Sequence, residues 1–531
     1  MGGLSILLAI SPVLVIFLLL LLRRTAADIA GLIGWLVTLA VAVLYFHTAP
    51  GVAVRASIAG IVSSFPISLM VGASIFQMTF MLETGAVKRI VVAMKSVSPR
   101  DRVAQILMIN VGFGTLVTAL GATPVSILPP IMMALGYSSF ISIALPAIGY
   151  DSLCTYALLA IPAVVFTDVL GPIAKAGGVT LTLQDTGLLF ARFIPFVTTG
   201  IALGMFWIVG GWRTMAKGLI PALITGAVAG LCCYLMAVAD LVPLTGIVAG
   251  AAIILVIALT LKLRGRPVYL ESGLTAADLE VKQGIGLLRA ASPWILLLLF
   301  ATIVNLKALP FFRLLFERLP LAIPIIPGRP TSTRFLWQAY TWVLVSTFVA
   351  SVLFFRPSRQ VWRSILFRTA RRAPRPMLAA AIYFAIALVI DHSGKDAAWA
   401  LADRSRNMIH VVAAAAAGLF GGAYGLVAPY LGLLAGFISG SETSAIAMLS
   451  RFHMETAAAL GKPVLVGLML AAAGGIGGGL ASVISPAKLQ NAAAIIDRIG
   501  EEGKVLRTTV LISLLITFLT SLATFVWFVS W

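Results

Sequence analysis

Ten apolar runs of about twenty residues each divide this chain, at about 4–22, 28–46, 57–82, 189–210, 218–238, 243–261, 291–309, 336–355, 377–400 and 508–530. Roughly 20 such residues in helical form cross the hydrocarbon of a bilayer. Inside hydrocarbon each backbone N–H and C=O must be paired within the protein, so each run is constrained to be a helix. Four further regions, 103–137, 140–166, 408–450 and 463–486, are as apolar but punctured by Gly, Pro, Ser and Thr. Pro removes a backbone donor and clashes with the preceding turn, and Gly weakens a helix. Backbone that leaves the helix at that depth persists only where it is buried in protein or lines a cavity. The expected fold is all-α, a polytopic membrane protein with about 12–14 transmembrane segments. Regions 103–137 and 408–450 read as containing re-entrant helical hairpins, and the other two as broken spans.

Charge supports this class. Only 11% of the residues are charged, against about 25% in soluble domains. The net charge of +19 comes from 38 Lys+Arg and 19 Asp+Glu, but the basic residues sit in short loops, where they orient membrane spans. That placement argues against a nucleic-acid partner. Cys154, Cys232 and Cys233 lie in apolar segments with no metal-ligand spacing. His47, His410 and His453 do not cluster in the sequence, so neither a metal nor another cofactor is expected. The first run ends in Arg23-Arg24 with no basic stretch before it, and reads as a retained span rather than a signal peptide.

The positive loops set an expected orientation. Residues 83–102 carry Lys88, Arg89, Lys95, Arg100 and Arg102, and 262–289 carry Lys262, Arg264, Arg266, Lys282 and Arg289. Segment 356–375 has seven arginines and no acid, suited to the inner face and to anionic lipid headgroups. With these inside, both termini lie outside. Loop 310–335, with four arginines, Glu317 and a Pro-rich run, then faces out and reads as a folded excursion.

The two halves look related. After Gly121 come an apolar arm, a polar loop, Gly149-Tyr150-Asp151-Ser152 and Pro162. After Gly440 come an apolar arm, a polar loop, Gly474-Gly475-Ile476-Gly477 and Ser485-Pro486. The first hairpin then enters from inside and the second from outside, an inverted repeat of the kind that places a ligand site at the two breaks. The corresponding division is a first transmembrane half over 1–260, connecting spans and the Arg-rich cytoplasmic loop over 261–376, and second-repeat spans over 377–531.

The breaks supply the candidate site. In the first hairpin Gly114, Thr118, Gly121, Thr123 and Ser126 are candidate ligands, and Pro124 suits the first turn of a helix whose free N–H groups face the break. An anionic carboxylate fits such an end. In the second half Ser439, Gly440, Ser441, Thr443, Ser444, Gly475 and Ser485 offer hydroxyls and open backbone. Glu442 adds a titratable group at a membrane-depth break, a functional position by default. A carboxyl that takes a proton on one side and releases it on the other couples protons to transport. Asp151 is a second candidate carrier.

Plainer readings stand beside these. Gly and Thr also pack helices closely. Glu442 also suits a structural ion pair, and Asp151 a cap. Lys488 reads first as the end of its span, ahead of pairing with a substrate carboxylate. Asp391 to Asp396 interrupts another helix, and His392 there ranks below Glu442. The glycines from Gly474 to Gly479 lack the preceding strand and the Lys-Ser/Thr of a phosphate loop, leaving close helix approach or a substrate-facing unwound turn.

Several stretches make the chain similar to the bacterial lactate permease family: Gly72 to Phe76 running to Glu83–Ala86, the Gly112–Gly114 and Gly121–Ser126 hairpin, Gly211-Trp212-Arg213 and Ala291–Trp294. Ala428–Gly432 running into Phe437–Thr443, Gly474–Gly477 running into Ile484–Pro486, and Gly500–Gly503 with Arg507 are similar too. The chain departs from the family's pattern at Tyr150-Asp151, at Ala119–Thr123 and at Glu442, Ala445 and Ile446. The resemblance implies proton-coupled uptake of a small organic anion, lactate, glycolate or a related 2-hydroxy monocarboxylate, by a multi-pass protein of the bacterial inner membrane. The alternatives are a sodium-coupled symporter of another small anion, a dicarboxylate or sulfonate, and a membrane-embedded enzyme, for which no catalytic cluster is visible.

Overall fold

The computed structural model describes residues 2–23, 25–96, 101–269, 274–306 and 308–530. Arg24 and Arg100, which entered the loop-charge argument, lie outside the described residues. Twelve helical stretches among the described residues are long and apolar enough to cross a bilayer. The protein is an all-α polytopic membrane protein. Expected run 57–82 is two helices, Pro50–Ser63 and Phe65–Glu83, because Pro66 restarts the winding beyond Ser64. Runs 189–210 and 218–238 belong to one long helix, Ile194–Val238, kinked at Gly210-Gly211, where Gly211 takes φ +61°. Pro195 lies against Gly230 and Phe206 against Gly218, so its two halves fold back on each other.

Two units of four helices carry the breaks. In the first, α1 (Arg102–Ala119), α2 (Pro124–Ala134), α3 (Ser139–Gly149) and α4 (Ala157–Ala176) follow in order. In the second, they are α5 (Tyr424–Ser439), α6 (Glu442–Ala459), α7 (Val464–Leu480) and α8 (Pro486–Ile495). Both units open with a hairpin. Tyr137 donates to Gln105 Oε1 at 2.6 Å, Asn110 meets Met132 Sδ at 3.5 Å and Gly114 faces Leu128, so α1 and the α2 segment run antiparallel. Gly432 faces Gly474 and Gly436 faces Gly478, so α5 runs parallel to α7. Ala445 faces Gly478 while Met454 faces Gly467, so α6 runs against both.

The second hairpin therefore spans 424–459, not 408–450. Met408–Phe420 is a separate helix capped by Asn407, whose side chain accepts from the His410 N–H, and it ends at Gly421. Of the two readings of the glycine run, the structure takes close helix approach rather than an unwound turn. Gly474 to Gly479 lies inside α7, and the second-unit break falls later, at the short turn Ala481–Ile484 and Ser485. These glycines serve close approach. A Cβ on Gly432 would lie 1.8 Å from the Gly474 carbonyl oxygen, and one on Gly477 would lie 1.9 Å from that of Pro429. α7 is buried without interruption from Val466 to Leu480, which is why it is apolar on every face.

The units cross. α6 packs on α4 and α8 packs on α2 and α3. The turn after α7 packs on α3, and the turn after α3 packs on α7. Each unit's broken helix thus meets the other unit's hairpin. The excursion at 310–335 is folded: strands β1 (Leu321–Ile326) and β2 (Arg329–Thr333) form an antiparallel hairpin with Leu321 opposite Thr333.

Replacing Gly432 by Val drives a branched side chain into the α7 backbone and should cost about 3 kcal/mol or more. Gly418→Ala, in a helix with nothing within 4 Å of the new Cβ, should be neutral or gain up to about 1 kcal/mol. Thermal unfolding of the detergent-solubilised protein measures both. A Gly432→Val variant that unfolds at the wild-type temperature contradicts the close α5–α7 contact.

Candidate functional site

The two units meet at their breaks. Gly440 ends α5 in the left-handed region at φ +68°, and Ser441 caps α6, its hydroxyl accepting the Ser444 N–H at 3.4 Å. Ser439 donates to the Ala435 carbonyl at 2.8 Å and the Ser441 carbonyl at 3.0 Å, pinning the tip. Glu442 is therefore the first residue of α6, and it is 3% exposed. Its carboxylate lies over Gly479, where a Cβ would come within 2.7 Å of Oε2. Oε1 accepts from the Thr155 hydroxyl of the first unit at 2.5 Å. Oε2 is buried with no oxygen or nitrogen donor in hydrogen-bond geometry among the described residues, and the Cys154 thiol lies beside the carboxylate.

The first unit's break answers in kind. α3 ends at Gly149, and Asp151 follows, 3% exposed. Asp151 Oδ2 accepts the Val483 N–H of the second unit's break at 3.0 Å, Oδ1 is buried with no partner in hydrogen-bond geometry among the described residues, and the Ser482 hydroxyl of the same break lies beside the carboxylate. The two carboxylates are thus each tied across the unit boundary by one bond. Between Asp151 and the straight part of α4 the backbone is strained. Leu158, Leu159 and Ala160 all lie at φ between +55° and +62°, a region that costs about 1–2 kcal/mol for each L-residue with a side chain.

Lys488 also belongs here. Its Nζ lies 2.5 Å from the Ser482 hydroxyl and 3.8 Å from the centroid of the Tyr150 ring. The expected end-of-span role is corrected: α8 continues to Ile495, and the lysine turns inward to the break. Ser485 caps this helix, 2% exposed, and lies against Gly440 of the other tip.

The first hairpin tip is placed beside α8. Gly121 turns the chain at φ +91° with the Ser74 hydroxyl close against it. Pro124 begins α2, as its fixed φ suggests. Thr123 and Ser126 share a hydrogen bond of 2.7 Å, and Asn491 donates to Ser126 at 2.9 Å. Asn491 is five residues into α8, about 7.5 Å of rise from Pro486, so α8 links the first tip to the second.

Not every candidate faces this junction. Thr118 bonds back to the Gly114 carbonyl at 2.7 Å, and Gly114 faces Leu128 across the hairpin. Gly475 packs against Ile446 and Phe190. These three sit in helix packing. Thr443 and Ser444 are buried in the first turn of α6. Sequence reasoning missed Tyr150, Thr155, Ser482 and Asn491. Thr155 lies four residues beyond Asp151 within the same break, and Ser482 three before Ser485, which was the available signal.

A cavity of about 710 Å³ lies beside the two crossing helices. Val165 and Asp168 of α4 line it, with Ala447, Met448 and Arg451 of α6. Its floor at Ala447 is five residues past Glu442, about 7.5 Å along the helix. The folded excursion roofs it. Arg334 reaches Asp168 at 3.3 Å and lies 4.2 Å over the Phe316 ring. Arg451 is ion-paired to Asp391, which accounts for the polar interruption after the helix Pro374–Asp391. His392 lines the same cavity, away from Glu442.

Interrupted helices that meet from two crossed units, with titratable groups buried at the breaks, define a membrane transport protein. Residues 5–529 match the family described as L-lactate permease, and the chain belongs to that family. It is 25% identical to the L-lactate permease of Streptococcus iniae, covering 85% of this chain and 90% of the relative. It is 24% identical to the L-lactate permease of Escherichia coli K12, covering 98% and 95%. Glycolate permease GlcA of the same organism is 22% identical, covering 97% and 94%.

Ala160→Gly tests the strained turn. In an ordinary helix this change costs about 1 kcal/mol. Here glycine relieves the left-handed backbone, so the variant should unfold at the wild-type temperature or above. A drop in unfolding temperature matching a normal helical glycine would show that the left-handed turn is not formed.

Proposed function

We propose that this protein imports a small 2-hydroxy monocarboxylate, lactate or glycolate, by proton symport across the bacterial inner membrane. The relatives' names supply the substrate class. One observation carries the coupling: Glu442 and Asp151, from different units, are both buried at backbone breaks, and no basic side chain forms an ion pair with either among the described residues. A titratable group at a membrane-depth break is a functional position by default. Protonation and release by this pair as the breaks face alternate sides is the coupling step. Substrate binds beside them, at the N-terminal ends of α2, α6 and α8, where unpaired N–H groups and the helix dipoles favour an anion. Ser439, Gly440, Ser441, Ser485, Gly121, Thr123 and Ser126 line that region; Thr443, Ser444, Gly114, Thr118 and Gly475 hold its frame.

The positive loops support inverted units with both termini outside, and the division at 260 and 376 separates the two halves from the connector. In that orientation the 710 Å³ cavity, lined in part by the folded segment at 310–335, lies on the outer side, and we take it as the approach to the site.

Sodium is the rival coupling ion, and hydroxyls with open backbone suit it. Replacing sodium by choline in the uptake buffer should leave transport unchanged. In proteoliposomes, Glu442→Gln should reduce proton-driven lactate accumulation at least tenfold while substrate exchange at equal pH persists. Asp151→Asn should show the same direction. Full proton-driven accumulation by Glu442→Gln would remove Glu442 from the coupling step.

A further inference from the structure

We infer that Lys488 is the residue that pairs with the carboxylate of the transported anion and sets the preference for a monoanion. This rests on the transport reading above and names the recognition group within the same site.

Three observations converge on it. The ammonium has three donors, and Ser482 takes one at 2.5 Å while the Tyr150 ring covers another side at 3.8 Å. The side chain is thus fixed in place by a hydroxyl and an aromatic face, not by a carboxylate. Its side chain is half-buried by accessible surface, whereas Glu442 and Asp151 are 3% exposed, so of the three charged groups it is the least enclosed. It stands at the start of α8, where the helix dipole adds to its charge, and beside the second tip through Ser485 and Gly440.

Charge balance in a low-dielectric site favours the same assignment. The titratable groups around Lys488 are Asp151, Glu442, Tyr150 and Cys154. With the tyrosine and thiol neutral and one carboxyl protonated, Lys488 and the other carboxylate leave the empty site neutral. With both carboxyls protonated, Lys488 holds one unpaired positive charge. A bound monoanion restores neutrality, and a dianion leaves an uncompensated charge in the membrane, which is costly. One proton then enters with each monoanion, because the loaded site carries one more than the empty one.

The test uses purified full-length protein and compares L-lactate with its neutral amide, lactamide. Wild type should prefer lactate. Lys488→Met should weaken lactate binding about 30-fold or more, the effect of removing one partner of a buried charge pair. It should leave lactamide affinity within about threefold, so the ratio collapses, and Lys488→Arg should retain the preference. A purely structural lysine would weaken both ligands together. On the wild-type protein, lactate should protect Lys488 from amine acylation, read by peptide mass spectrometry, and lactamide should not. An unchanged lactate-to-lactamide ratio in Lys488→Met, or acylation indifferent to lactate, overturns the assignment. Failure of the proton-coupling reading looks different: accumulation independent of the proton gradient with the ligand ratio of Lys488→Met still collapsed.

Discussion

Glu442 rests on a residue with no side chain, and the rest of the site depends on that contact. Its carboxylate occupies the space a Cβ of Gly479 would fill. The same absence of side chains at Gly474, Gly477 and Gly478 brings α5 and α6 onto α7 almost backbone to backbone. Small residues at such contacts let membrane helices approach without a hydrophobic driving force. The result is a closely packed second unit whose hairpin tip lies against α7. Were α7 lined with larger residues, α6 would stand off and Glu442 would lose Thr155.

That bond is one of two that hold a buried carboxylate across the unit boundary, in opposite senses. Thr155 of the first break donates to Glu442 of the second tip, and Val483 of the second break donates to Asp151 of the first. Each carboxylate is therefore sensitive to the position of the other unit. A relative movement of the units changes the surroundings of both acids at once, which is the structural requirement for linking protonation to access. The left-handed turn at Leu158–Ala160 stores strain beside this junction, where such strain is often retained for a mechanism.

Much of this was legible in the residues. The apolar runs gave the spans, and Pro124, Gly121 and Gly440 marked the tips because each imposes or permits a specific backbone state. Asp151 and Glu442 stood out as charges at membrane depth. The Gly474–Gly479 run was ambiguous, since glycine serves both an unwound turn and a close contact, and only the neighbours at Pro429 and Gly432 decide between them. The start of the second hairpin was misplaced because Met408–Phe420 is as apolar as the arm it precedes. Lys488 was taken for a span end because sequence shows its distance from Pro486 but not the Tyr150 ring it lies against. Thr155 and Asn491 gave no strong signal, because their partners lie hundreds of residues away, and Ser482 gave none because its bond to Lys488 spans a backbone break.

The most direct measurement follows protons rather than substrate. Proteoliposomes with an entrapped pH dye receive external lactate at symmetric pH, without an imposed gradient. A coupled carrier acidifies the lumen in step with radiolabelled lactate entry, at about one proton per anion by the charge balance of Lys488, Glu442 and Asp151, and Glu442→Gln abolishes the acidification. Lactate entry with no change in luminal pH, or with a strict requirement for external sodium, would contradict the account.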